Sequence, residues 1–448
     1  MPKFTIKTLG CKVNQYESEA ISRELESSAW HEGDKDEPAD LCIINTCTVT
    51  QKASTQSRQA VRQAVRSNPK ARIIVTGCYA QTAADELNKI KGVDYVIGHS
   101  QKHEIASKFI ESQKPKGTAA VSLCSDVLTD RQFQQYSQTV CGTRTRPFLK
   151  IQDGCDAFCS YCIVPYARGP SRSMPYNDVL KHIMQLRNKG YHEVVLTGVH
   201  LGNYGLDLNP KTSLYELLCR IDGTDSVARV RLSSIEPLEL SNGIIKCVST
   251  SPRFCRHFHI PLQSGDDDIL KKMRRPYTRN YFHDLVLKIN KSMPDAAVGV
   301  DIMVGFPGET ADAFENTYNL IKALPVAYLH VFPFSARPGT PAGKFAGKVP
   351  SKVIKQRCER IRRLGTVKRK MFYQKFRGQI LDVLIEETTD RRTGLLKGVT
   401  SNYLPVLIEA PGEHINTLAP VRIDELTPDN RLFGSLKPRH TLTASTIP

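Results

Sequence analysis

Residues 152–169, QDGCDAFCSYCIVPYARG, follow directly on an apolar run, FLKIQ (148–152), that reads as a β-strand. They place Cys155, Cys159 and Cys162 at spacings of four and then three residues in one short loop. A loop of that pitch can wrap three thiolates around three corners of an iron–sulfur cubane. Such clusters ordinarily take four cysteines, and nothing nearby supplies the fourth, so one iron would stay open to a substrate or cofactor. A structural zinc site wants a closed set of four ligands, and the next histidine, His182, lies twenty residues beyond Cys162. Zinc and unliganded buried thiols are the alternatives at this point.

Outward from this loop, further apolar runs alternate with helical stretches: EVVLTG (193–198), RVRLSS (229–234), FHIPL (258–262), VGVDIM (298–303) and LHVFPF (329–334). Together with FLKIQ these make six candidate strands between residues 141 and 371, the pattern of an α/β fold, either an open sheet or a partial barrel. The segments after these strands are rich in glycine, proline and polar residues. In such folds ligands bind at the carboxyl ends of the strands, so Glu236 and Gln263, which sit at two of those ends, are candidate cofactor-binding residues.

Residues 1–113 repeat the alternation with FTIKTL (4–9), LCIINT (41–46), RIIVTG (72–77) and DYVIG (94–98), which predicts a parallel sheet covered by helices on both faces. Cys11, Cys47 and Cys78 each fall just past one of the first three strands. If those strands are neighbours, three thiols converge on one edge of the sheet, again without a fourth. Asn14 and Asn45 lie beside these cysteines; a helix cap is the expected role of Asn14, and donation to cluster sulfurs the alternative. Cys42, within a strand, and Cys219, within the helix LYELLC, read as core, and no chemistry is assigned to Cys124, Cys141, Cys247, Cys255 or Cys358. Residues 114–140, polar throughout, read as a linker.

Beyond Met371 the pattern changes to short strands and turns, QILDVLIEE, GLLKGVT, YLPVLIEA and APVRIDEL, a small all-β module. Just before it, Lys352–Arg377 holds eleven Lys or Arg residues and one acid, Glu359, around a helical apolar stripe. The whole chain carries a formal charge of +17, which favours a phosphate-bearing partner. Thirteen cysteines fit a complete disulfide set poorly. With no secretory pattern at MPKFTIKTLG and no run of about 18–20 apolar residues, the expectation is a cytoplasmic protein with reduced thiols and no membrane association.

The loop resembles the radical S-adenosylmethionine superfamily, whose hallmark is C-x-x-x-C-x-aromatic-C. That implies a [4Fe-4S] cluster on Cys155, Cys159 and Cys162, with S-adenosylmethionine on its open iron and Tyr161 at the aromatic position near the cofactor's adenine. Over nearly its full length the chain is similar to the methylthiotransferases of that superfamily. The resemblance implies a methylthiotransferase domain (1–113) with an auxiliary [4Fe-4S] cluster on Cys11, Cys47 and Cys78. A partial (β/α)6 radical barrel (141–371) and an OB-like TRAM module (372–441) that binds RNA complete the expected organisation. TLGCKVNQYESE, CSYCIVPYARGPSRS and LTGVHLGNYG resemble the bacterial branch that modifies N6-threonylcarbamoyladenosine at position 37 of transfer RNA. The branches acting on isopentenyladenosine or on a ribosomal-protein aspartate are the alternatives, and a metal-stabilised RNA-binding protein without activity is a more distant one. The family's reaction implies a transfer RNA substrate and an electron-donor protein, with no stable protein partner. No side chain is assigned an acid–base role, because the cofactors carry the chemistry.

Overall fold

The computed structural model describes residues 1–34, 37–109, 118–136 and 144–438. The boundaries expected near residue 113, at Cys141 and near Thr441 lie outside the described residues.

The chain opens with six strands: β1 (Lys3–Thr8), β2 (His31–Glu32), β3 (Leu41–Thr46), β4 (Arg72–Gly77), β5 (Tyr95–Ile97) and β6 (Val121–Leu123). They form one parallel sheet in the order β2–β1–β3–β4–β5–β6. Every residue of β3 is buried, as a central strand covered on both faces must be. Helices α1 (Lys12–Ser27), α2 (Gln51–Ser67), α3 (Cys78–Thr82) and α4 (Ala84–Asn88) connect and cover the strands. Helix α1 lays Val13, Tyr16, Ala20, Ile21 and Leu25 inward at helical spacing. Helix α2 starts where Thr50 accepts a hydrogen bond from the Ala53 N–H, closing an otherwise open donor. The expected linker is corrected in part: Val121–Leu123 pairs with β5 as the sheet's edge strand. Such a short, polar-flanked strand carries almost no period-2 signal.

The central region runs β7 (Phe148–Lys150), β8 (Gln152–Asp153), α5 (Val164–Arg168), β9 (Arg172–Ser173), α6 (Tyr176–Asn188), β10 (Glu193–Thr197), α7 (Leu214–Asp222), β11 (Arg229–Leu232) and α8 (Asn242–Thr250). It continues through β12 (His257–Gln263), α9 (Asp267–Lys272), α10 (Arg279–Ser292), β13 (Ala297–Val304), α11 (Ala311–Ala323), β14 (Tyr328–Pro333) and α12 (Ser351–Gln374). The pair β8–β9 forms a small antiparallel ribbon beside the main strands. The others pair in parallel as β7–β10–β11 and β12–β13–β14, joined by the bridges Val230 to Phe254 and Ser234 to His259. Strand order follows chain order, the arrangement of a barrel left open between β14 and β7. Helix α7 places Leu214, Leu217, Leu218 and Ile221 inward behind a Ser213–Glu216 capping box. Cys219 is off that stripe and exposed, which corrects its reading as core.

The last five strands, β15 (Ile380–Thr389), β16 (Leu396–Thr400), β17 (Pro405–Glu409), β18 (Leu418–Leu426) and β19 (Leu432–Leu436), close into a barrel in the order β15–β16–β17–β19–β18. Strand β19, absent from the sequence reading, pairs parallel with β17 and antiparallel with β18 and so removes the open edge.

Candidate functional site

The carboxyl ends of the central strands gather one set of polar side chains. Cys155, Cys159 and Cys162 follow β8. Phe158 adopts a left-handed φ of 43° between them, a turn that swings Cys159 back into the protein. Cys159 is buried, and Cys155 and Cys162 are partly exposed. Arg275 donates from Nη1 to the Cys159 sulfur at 3.4 Å and to Glu236 Oε1 at 3.1 Å, while its second nitrogen also grips Glu236. His200 Nδ1 lies 3.2 Å from the Cys155 sulfur, and its Nε2 meets Glu239. Burial opposes charging His200, but Cys155 and Glu239 hold its proton and push it up to about 10. Burial likewise pushes the Cys162 thiol up to about 12. Three sulfurs gathered on one loop, with no fourth cysteine beside them among the described residues, suit a metal cluster, whose binding enforces the thiolate form.

Glu236, on the segment after β11, therefore touches Arg275 and stands beside the loop triad. Its carboxyl is raised by burial, against the pull of Arg275. Gln263 closes β12 at a bulge with a left-handed φ of 65°. Tyr161 packs against the small apolar cluster that contains Ile269, Met273 and Phe306 rather than standing free. His200, Glu239 and Arg275 were not singled out by the sequence. His200 lies in the glycine-rich TGVHLGNYG loop, which marked its neighbourhood, but Arg275 carries no local signal.

The dispersed triad converges as well. The ends of β1, β3 and β4 are in register, Thr8 opposite Asn45 and Asn45 opposite Thr76. Cys11 then begins α1 as its N-cap, Cys47 follows β3, and Cys78 begins α3. Two glycines make the approach possible. At Gly10, φ +108°, a Cβ would lie 3.1 Å from the Cys47 sulfur; at Gly77, φ +94°, it would fall 2.4 Å from the Thr46 carbonyl oxygen. Burial pushes the Cys78 thiol up to about 12, countered by Arg168 and reinforced by Cys47 and Cys11. The shared register of the three strand ends and the tight approach of Gly10 to Cys47 bring the three thiols to one edge of the sheet, a second donor set that fits a metal cluster.

The expected cap role of Asn14 is corrected. It sits in the first turn of α1, and its Nδ2 donates to Leu9 O (2.7 Å) and Thr46 O (3.0 Å), the carbonyls just ahead of the Cys11 and Cys47 turns. Asn45 donates from Nδ2 to Asn14 O and to the Ser18 hydroxyl, both at 2.9 Å, so it too works on backbone and hydroxyl partners.

The N-terminal sheet covers the mouth of the open barrel. Helix α3, which begins at Cys78, packs against α5, which begins just after Cys162. On the far side Arg337, after β14, donates to Thr48 Oγ1 (2.7 Å) and Gln51 Oε1 (2.9 Å), next to Cys47. Lys12, adjacent to Cys11, reaches the Phe148 ring at 6.0 Å; burial and the nearby Arg231 and Arg146 push it down to about 8. Deeper in the barrel, His257, Tyr328, His259, Asp301 and His330 form a continuous hydrogen-bonded chain that ends on the half-exposed His330.

Helix α12 divides its charges. Arg357 pairs with Glu309, Arg360 with Glu315, and Lys368 caps the carbonyls of Lys322 and Leu324. Lys352, Lys355, Arg363 and Lys370 face outward. Where α12 meets the C-terminal barrel, a cavity of about 450 Å³ brings together the cations Arg369 and Lys397, the rings of Tyr373, Tyr403 and His330, the carboxylate of Asp390 and the ion pair of Arg146 with Glu386.

Residues 3–98 match the Uncharacterized protein family UPF0004, and residues 149–321 match the Radical SAM superfamily. The threonylcarbamoyladenosine tRNA methylthiotransferase MtaB of Bacillus subtilis (strain 168) is 38% identical over 431 residues, 94% of each chain. The protein of the same name from Aquifex aeolicus (strain VF5) is 35% identical over 90% of this chain and 96% of its own. The tRNA-2-methylthio-N(6)-dimethylallyladenosine synthase of Clostridium botulinum (strain Okra / Type B1) is 33% identical over 94% of each. Among solved structures, the radical S-adenosylmethionine methyltransferase TsrM from Kitasatospora setae shares the fold, with a TM-score of 0.56 over 77% of each chain at 17% identity. With cysteine triads on a parallel barrel and its N-terminal sheet, and relatives above 30% identity over nearly the whole chain, the protein belongs to the radical S-adenosylmethionine methylthiotransferase family that includes MtaB.

Proposed function

We propose that this protein adds a methylthio group to carbon 2 of N6-threonylcarbamoyladenosine at position 37 of transfer RNA. The observation that carries the reading is the pair of three-cysteine sets at the mouth of one open barrel, in a chain whose relatives named MtaB match it over at least 90% of its length. In this reading Cys155, Cys159 and Cys162 hold the radical [4Fe-4S] cluster and Cys11, Cys47 and Cys78 the auxiliary one. When bound, these clusters and S-adenosylmethionine would hold the sulfur and supply the methyl group and the radical needed at an unactivated C–H bond.

The chain's own side chains bind and orient. Glu236 and Gln263 line the edge where S-adenosylmethionine would lie, Glu236 held in place by Arg275, and Tyr161 packs beneath it. The N-terminal sheet over the mouth excludes water from the reacting centre. Residues 1–113 form the auxiliary-cluster domain, 141–371 the radical domain, and 372–441 a TRAM, OB-like module. The exposed cations of α12 and the cavity beside Tyr403 would grip the RNA backbone and present the flipped base. An electron-donor protein supplies reducing equivalents in the cytoplasm, without a stable complex.

Mass spectrometry of transfer RNA nucleosides from a strain lacking the gene tests the assignment. Loss of 2-methylthio-N6-threonylcarbamoyladenosine, restored by the intact gene, is expected. Its persistence sinks the substrate reading, and loss of the methylthiolated isopentenyl nucleoside instead would move the protein to the other transfer RNA branch.

A further inference from the structure

We propose that Arg168 is a positioning residue that locks the two cysteine triads into one unit and holds a positive charge against the dispersed triad. The inference rests on the reading that both triads carry clusters.

Arg168 ends α5, six residues beyond Cys162, and its side chain is 2% exposed. Nη1 donates to Asp153 Oδ1 at 2.7 Å and Glu17 Oε1 at 3.0 Å; Nη2 donates to Glu17 Oε2 at 3.2 Å and Asn14 Oδ1 at 2.5 Å. Asp153 stands two residues before Cys155. Glu17 and Asn14 belong to α1, which starts at Cys11. One planar fork thus grips the segment that carries the loop triad and the helix that carries the first cysteine of the other.

The Asn14 amide extends the grip. With Oδ1 engaged by Arg168, Nδ2 is turned toward Leu9 O and Thr46 O, the carbonyls that lead into Cys11 and Cys47. The position of a Cβ on Gly10 is 3.2 Å from that same Nδ2 and 3.1 Å from the Cys47 sulfur. Cys78 is reached through the packing of α3 on α5. A lysine could supply the charge but not the fork.

The surrounding charges do not cancel. Lys102, Lys150, Arg168 and Arg172 meet Glu17, Asp153 and Asp130 in one connected, mostly buried set. Four cations against three carboxylates leave one positive charge in excess. Burying such a set costs desolvation that an apolar interface between the domains would avoid. A use for the charge is therefore needed, and the neighbour is a cluster site whose three thiolate ligands are anionic. In a low-dielectric setting a fixed cation there favours the more negative, reduced cluster.

Full-length protein carrying Arg168→Lys or Arg168→Gln tests both parts. The potential is read by EPR-monitored titration in a background with Cys155, Cys159 and Cys162 replaced by Ala, which leaves the auxiliary cluster alone and needs no RNA. Arg168→Gln should move that cluster to a more negative potential, and Arg168→Lys should leave it at the wild-type value. With both clusters present, either variant should form about tenfold more 5′-deoxyadenosine per methylthiolated product, the size of effect expected from a misplacement of under 1 Å. An unshifted potential in Arg168→Gln overturns the charge role, and a wild-type product ratio in Arg168→Lys overturns the positioning role. If Arg168→Gln fails to retain auxiliary iron, the Arg168→Lys ratio decides alone. Should the wild type methylthiolate no RNA, the function assigned above falls, while the potentials still judge Arg168.

Discussion

Arg231 on β11 holds Glu193 on β10 through two nitrogens, Nε to Oε1 at 2.7 Å and Nη2 to Oε2 at 3.2 Å, with both side chains at or below 1% exposure. The remaining donors of Arg231 reach the backbone oxygens of Thr400 and Ser401, each at 3.0 Å, so the pair also fastens the central strands to the C-terminal barrel. Replacing one member leaves a buried charge without its partner. Arg231→Met should cost about 3–5 kcal/mol, and the double change Arg231→Met, Glu193→Leu should recover most of it. Denaturant unfolding of the wild type and the two variants checks this. A single-variant loss within about 0.5 kcal/mol of wild type, the range of an ordinary surface change, would refute it.

The cysteine assignments separate two activities. Cys47→Ala should keep reductive cleavage of S-adenosylmethionine and lose methylthiolation, whereas Cys159→Ala should lose both. Reconstituted wild type should hold about eight irons per chain and either triple cysteine variant about four, as two four-iron clusters require. Methylthiolation by Cys47→Ala would show that the auxiliary site lies elsewhere.

Asp301 supplies a pH dependence. Burial disfavours its charge, but hydrogen bonds from His259 and His330 outweigh that and hold the carboxyl down at about 2. Because the folded value lies below the unfolded one of about 3.9, the stabilisation is full above roughly pH 4 and is lost as pH falls toward 2. Metal-free protein should therefore be more stable than Asp301→Asn at about pH 5, by a margin that shrinks as pH falls below about 4. A margin that stays level down to pH 3 in thermal unfolding would contradict the assignment.

The cations around α12 should not act alike on RNA. Arg369→Gln with Lys397→Gln removes two charges from the cavity between α12 and the C-terminal barrel. That should reduce the salt dependence of RNA binding by about two units of slope, roughly one for each phosphate no longer neutralised. Arg357→Gln with Arg360→Gln, already paired with Glu309 and Glu315, should leave the slope unchanged. Binding of an anticodon stem-loop at several salt concentrations distinguishes them, and equal slopes for the two double variants would remove the cavity from the RNA path.

Local features carried most of what the sequence disclosed. The loop triad was legible because its three ligands fall within eight residues of one another, and the strands because buried parallel strands are continuous apolar runs. The strand β6 was missed because three residues cannot show a period. Helical spacing does place Cys219 off the Leu214, Leu217, Leu218 and Ile221 stripe, so its exposure was available in the pattern even though its apolar neighbours suggested core. Asn14 was read as a cap because its type and place in the chain allow one, and only the approach of Thr46 and Arg168 gave its amide other partners.

By itself the sequence determined that two sets of three cysteines close parallel strands, one in a single loop and one spread over three strand ends, because strand periodicity and ligand spacing are written within short stretches. The tertiary structure alone decided how the two sets are joined. Arg168 and Glu17 are 151 residues apart, and Arg337 and Thr48 are 289 apart. No repeat or spacing announces such pairs, since their meeting depends on where the N-terminal sheet settles on the open barrel and on charges that find each other only once that surface is buried.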